Sequence, residues 1–168
     1  MTKKSFDTKK MVILSALVAV AMILSYIESL VPAFVAVPGV KVGLSNIATV
    51  FALYALGWPY AIIVSVIRVL LSSLLFGNAV SLIYSLSGAF LALLAMILLK
   101  KFNFFSTIGV SVAGGVCHNA GQIIAACIVM ENAAISLYIV PLIVSGTIAG
   151  IVIGTVAGII VERVKKYL

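Results

Sequence analysis

Residues 58–78 read Trp-Pro-Tyr-Ala-Ile-Ile-Val-Ser-Val-Ile-Arg-Val-Leu-Leu-Ser-Ser-Leu-Leu-Phe-Gly-Asn. Pro59 suits a first helical turn, and Gly77-Asn78 suits a stop. The stretch between them is apolar and long enough to cross a bilayer, with one interruption, Arg68. At about 1.5 Å per residue, Arg68 lies roughly 15 Å in, near the bilayer midplane. An arginine stays charged there, and it costs about 2.5–3.5 kcal/mol at a helix centre. The chain must therefore fold into a bundle whose interior satisfies a guanidinium. Ser65 and Ser72, three residues before and four after, make that side of the helix polar. Two readings follow. Arg68 holds the fold together through backbone carbonyls or a carboxylate, or it meets an anionic or carbonyl-bearing ligand in a cavity. The shortage of acids favours the ligand, because the only candidates are Asp7, Glu28, Glu131 and Glu162, and the first and last fall at the chain ends.

Composition agrees with the bilayer. Of 168 residues, 64% are hydrophobic and 9% are charged, and the mean hydropathy is +1.35. Such a chain is an integral membrane protein, here a single domain over residues 1–168 with no room for a soluble module. Its basic N-terminus ahead of an apolar run superficially resembles a signal peptide. The run is long and lacks a convincing cleavage site, so it reads as an uncleaved first span.

Six spans are expected, over about residues 11–29, 42–56, 59–76, 79–99, 105–130 and 137–161. The fold class is all-α, a six-helix transmembrane bundle. Residues 30–40 hold Pro32 and Pro38-Gly39 and form a loop, partly re-entrant given how apolar it is. The second span is short for a crossing and places Asn46 about one turn inside the membrane. Six spans put both termini on one side, together with Lys3, Lys4, Lys9, Lys10, Lys100, Lys101, Arg163, Lys165 and Lys166. Only Lys41 lies opposite. By the positive-inside rule the termini are cytoplasmic in a multi-pass cell-membrane protein, which accounts for the net charge of +7 without nucleic acid. Ser15 with Ala19 forms a small-residue pair on the first span. Gly146, Gly150, Gly154 and Gly158, each four apart, form a ladder that lets a neighbouring helix approach.

The intramembrane polar set is Asn46, Arg68, Ser87, His118, Asn119 and Gln122, with Lys41 and Asn78 nearer the outer surface. His118 and Gln122 share a face, and this cluster is costly in lipid unless it meets a cavity or other helices. A metal site is not expected from one histidine, with Cys117 and Cys127 reading as buried thiols. Catalysis is not expected either. The sole aspartate, Asp7, rules out an aspartate-rich diphosphate–Mg²⁺ motif, and no carboxylate is placed to orient His118. Binding, transport and assembly remain, without a cofactor.

Four motifs carry a resemblance: Pro38-Gly-Val-Lys-Val-Gly-Leu-Ser-Asn46, Arg68-Val-Leu-Leu-Ser-Ser-Leu-Leu-Phe-Gly-Asn78, Ser85-Leu-Ser-Gly88 and His118-Asn-Ala-Gly-Gln122. Together they resemble the Gx transporter family, also described as heptaprenyl diphosphate synthase component I, over nearly the whole chain. That family is similar to the substrate-binding S components of energy-coupling factor transporters. The resemblance implies six helices, cytoplasmic termini and a ligand cavity opening outward under the first loop, which would act as a lid. It implies a small amphiphilic ligand, flavin-, quinone- or isoprenoid-like. The implied partners are a coupling transmembrane subunit with its ATPases, or else a prenyl synthase or electron-transfer complex that this chain would anchor. S components dock through an Ala-xxx-Ala pattern on the first helix; here Ser15 with Ala19 is the nearest equivalent.

Overall fold

The computed structural model describes residues 8–30, 43–164 and 166, all of its regular structure helical. Helix α1 spans Thr8–Leu30, α2 Asn46–Ala55, α3 Trp58–Phe76, α4 Ala79–Lys101, α5 Thr107–Val129 and α6 Ile139–Val164, with a 3-10 turn at Ala133–Tyr138 before α6. Five of these segments are long and apolar enough to cross a membrane, which makes this a multi-pass membrane protein.

Local chemistry sets the ends. Pro59 stands in the first turn of α3, after Gly57 at φ 109°. Asn78 caps α4 by accepting from the Ser81 N–H at 2.8 Å, and Ser106 caps α5 through the Gly109 N–H at 3.2 Å.

The third span departs from expectation least, by one residue, while the second is cut from fifteen residues to ten. Helix α2 has only 10 residues, about 15 Å of rise, half of a ~30 Å hydrocarbon core. It ends beside the start of α3 at Leu56-Gly57 and runs antiparallel to it. Asn46 therefore stands level with Arg68, each about ten residues, or roughly 15 Å, from that shared connection. The expectation that Asn46 lies one turn below the surface is corrected: it lies at mid-depth. Gly43, at φ 92°, shapes the turn that starts α2 there.

The tightest packing joins α5 to its neighbours. A Cβ added at Gly115 would stand 2.5 Å from the Gly146 carbonyl oxygen, one at Gly150 2.5 Å from Val112 Cα, and one at Gly154 2.7 Å from Ile108 Cα. These glycines let the α5 and α6 backbones touch. Gly158 does not belong with them, since its added Cβ would meet Thr107 at an ordinary 3.9 Å. Gly121 gives α5 the same closeness to α4, since a Cβ added there would stand 2.6 Å from the Ser87 carbonyl oxygen. The apolar core gathers Leu53, Val64, Met96, Val110 and Ile153, with Leu14, Leu17 and Leu99 against it. On α1, Ser15, Ala16 and Ala19 are exposed.

Candidate functional site

Arg68 is 4% exposed at the middle of α3. Its partners come from the start of α2: one guanidinium nitrogen donates to Ser45 Oγ at 2.6 Å and the other to Asn46 Oδ1 at 3.3 Å. Among the described residues neither a backbone carbonyl nor Glu131, which is exposed in the turn after α5, fills the role open to them. The charge of Glu28 acts on the guanidinium from the end of α1, and the Glu28 carboxylate also accepts the Gly43 N–H. Glu28, Gly43, Ser45, Asn46 and Arg68 thus form one buried polar knot joining α1, α2 and α3.

The knot continues into α4 and α5. His118, 2% exposed, has its Cδ2 3.8 Å from where a Gly43 Cβ would stand, and its Cε1 3.0 Å from that of Gly88. Gly88 makes room for this imidazole; an alanine there would also press on the His118 carbonyl at 2.8 Å and on Gln122 Cγ at 3.0 Å. Gln122 is fully buried, and neither its amide nitrogen nor its amide oxygen has a hydrogen-bond partner among the described residues. The same holds for Arg68 Nε and the Tyr84 hydroxyl, one turn before Gly88. Burying such groups unmet costs about 1–3 kcal/mol each, so they stand out in a bundle whose other contacts are close. Beneath Asn46, by contrast, the space lined by Val50, Met96, Ser111 and Ile153 holds only about 10 Å³, room for roughly a single water.

Of the expected site residues, Arg68, Asn46, His118 and Gln122 are brought together. Three others do different work. Asn119 turns toward α6, its amide donating to the Leu142 carbonyl at 2.6 Å and Ser145 Oγ at 3.4 Å. Asn78 is spent as the α4 cap, and Ser87 presents its backbone to Gly121 at the α4–α5 contact. Lys41 and the lid over residues 31–40 lie outside the described residues. The spacing rules missed Ser45, which sits one residue ahead of α2 and is completely buried, and they gave Glu28 only as a plausible partner. Ser25 and Glu28, three apart and both buried on α1, were the available signal. Among the described residues no group of histidine, cysteine and acidic side chains could hold a metal.

A family model described as heptaprenyl diphosphate synthase component I matches residues 17–160, most of the chain. The chain belongs to that family. The match runs from α1 through α6 and takes in the whole polar knot, so the family assignment covers the site as well as the helices around it. The family description names a component, one part of a larger activity. No curated protein and no solved structure matches the chain.

Proposed function

We propose that this chain is a membrane-embedded substrate-binding subunit, resembling an energy-coupling factor S component, with cytoplasmic termini. Its site is the knot around Arg68. The guanidinium takes the anionic or carbonyl end of a small amphiphile, flavin-, quinone- or isoprenoid-like, while Asn46, His118 and Gln122 supply hydrogen bonds. The observation that carries this reading is Gln122: a wholly buried amide whose donor and acceptor both lack a partner among the described residues, beside His118 and close to Arg68's own neighbours. A group that reads both edges of an amide fits a ligand better than it fits packing.

The test is native mass spectrometry of protein purified in mild detergent. Arg68→Ala and Gln122→Leu should each lose a bound molecule carried by the parent chain while keeping a folded, extractable bundle. A parent chain that carries no small molecule overturns the proposal.

A second reading has its own support. The family description and the exposed Ser15, Ala16 and Ala19 on α1 fit a non-catalytic membrane partner of a prenyl diphosphate synthase or an electron-transfer complex. The same exposed face would serve a coupling subunit. Co-purification with a synthase, and no bound molecule, selects this reading. The catalytic work would lie with the partner, since prenyl elongation needs acids on Mg²⁺–diphosphate and the only aspartate here is Asp7.

A further inference from the structure

Away from the knot, two recesses on the outside of the bundle share a wall. The first is a groove of about 520 Å³ between α3 and α4, floored by Ser65 and Ala89 and rimmed by Val66, Phe90 and Leu94. It is almost wholly apolar. The second is a basin of about 450 Å³ where α2 meets α3 and α4 ends, lined by Leu53, Gly57, Trp58, Lys100, Lys101 and Asn103. Ile97 lines both, so the apolar groove opens at its end into a basin with two ammonium groups.

The dimensions match one leaflet. Along α4 the groove runs from Leu86 to Ile97, roughly 16 Å of helix, against about 15 Å for half the hydrocarbon core. The basin then falls at headgroup level, where Trp58, 57% exposed, is at home. Among the described residues no carboxylate lines the basin. Gly57 brings the start of α3 to its edge with no side-chain cap, adding the positive end of that helix. Lys100 is held in place there, its Nζ donating to the Leu53 carbonyl at 2.5 Å and lying 4.9 Å from the Tyr54 ring centre. Lys101 is exposed.

From this continuity we infer a binding site for one acidic phospholipid of the leaflet at the Lys100 end: its phosphate sits between Lys101 and Lys100, and one acyl chain lies in the α3–α4 groove. The groove runs about one leaflet along α4, so it takes a membrane lipid in place. A long polyprenyl chain would overrun it. The site stands apart from Arg68 and does not depend on the function proposed there.

The experiment is native mass spectrometry of the chain equilibrated with vesicles of phosphatidylglycerol or phosphatidylcholine, then extracted in mild detergent. One retained phosphatidylglycerol per chain is expected, and little phosphatidylcholine. Lys101→Ala should weaken that retention about fivefold, the effect of one lysine near an anionic surface. Val66→Phe, at the groove rim, should weaken it while leaving the headgroup preference intact. Both positions are exposed, so unchanged thermal unfolding is expected and separates lost binding from lost fold. Equal retention of the two lipids, no response to Lys101→Ala, displacement by inorganic diphosphate alone, or preference for a polyprenyl diphosphate would each overturn the assignment.

Discussion

Helix α5 meets α4 and α6 backbone to backbone, whereas α1, α2 and α3 add a knot of polar side chains to their apolar contacts. In the first group glycine removes every obstacle, and the Gly115 and Gly146 backbones come into direct contact. In the second, the approach is set by a guanidinium that must find acceptors, and the chain bends to supply them: a ten-residue helix begins at mid-depth so that Ser45 and Asn46 can face Arg68. Both solutions work in a bilayer, where burying apolar surface gives helices little reason to associate. The knot and its extension leave Arg68 Nε and both amide atoms of Gln122 without a hydrogen-bond partner among the described residues.

The sharpest break in that contrast is at Gly115. Gly115→Leu drives carbons into the Gly146 backbone, which cannot move aside as a side chain could. A loss of about 3 kcal/mol or more is expected, read as a fall in the yield of monodisperse protein and in its unfolding temperature in detergent. A stable Gly115→Leu variant would show that the α5–α6 wall yields as readily as the knot. The middle effect concerns the knot. Arg68→Met and Glu28→Gln should each destabilise, by up to about 3 kcal/mol for a broken buried charge partner. The double variant should cost clearly less than their sum. Additive losses in thermal unfolding would mean that Glu28 serves Gly43 alone. The smallest effect is Gly158→Ala, where the added methyl meets Thr107 at ordinary contact distance. There helix propensity should dominate, leaving stability unchanged or raised by up to ~1 kcal/mol. Destabilisation in the same assay would place Gly158 back among the packed glycines.

Much of this was legible in the chain. The polar side of α3 was readable because Ser65, Arg68 and Ser72 repeat at helical spacing, and all three are buried. His118 and Gln122 share a face for the same reason, and Gly88 meets both. Three glycines of the ladder were readable from their period. The fourth was not, because period fixes only a face, and where the neighbouring helix ends decides which rungs are touched. Asn119 was misassigned for a related reason. It stands next to His118 in sequence, but adjacent residues on a helix point about 100° apart, and that turn aims its amide at α6.

Hydropathy and the placement of charge, properties of the chain alone, determined a membrane-crossing helical bundle with a guanidinium in its interior. The family follows from the order of its motifs. The partners of Arg68 were decided only by the tertiary structure. Its acceptors, Ser45 and Asn46, lie more than twenty residues upstream, on a helix whose starting depth is set by a turn at Gly43 and by the carboxylate of Glu28 on that turn's N–H. Hydrogen bonds between separate helices depend on depth as well as on facing, and depth has no period for a sequence to display.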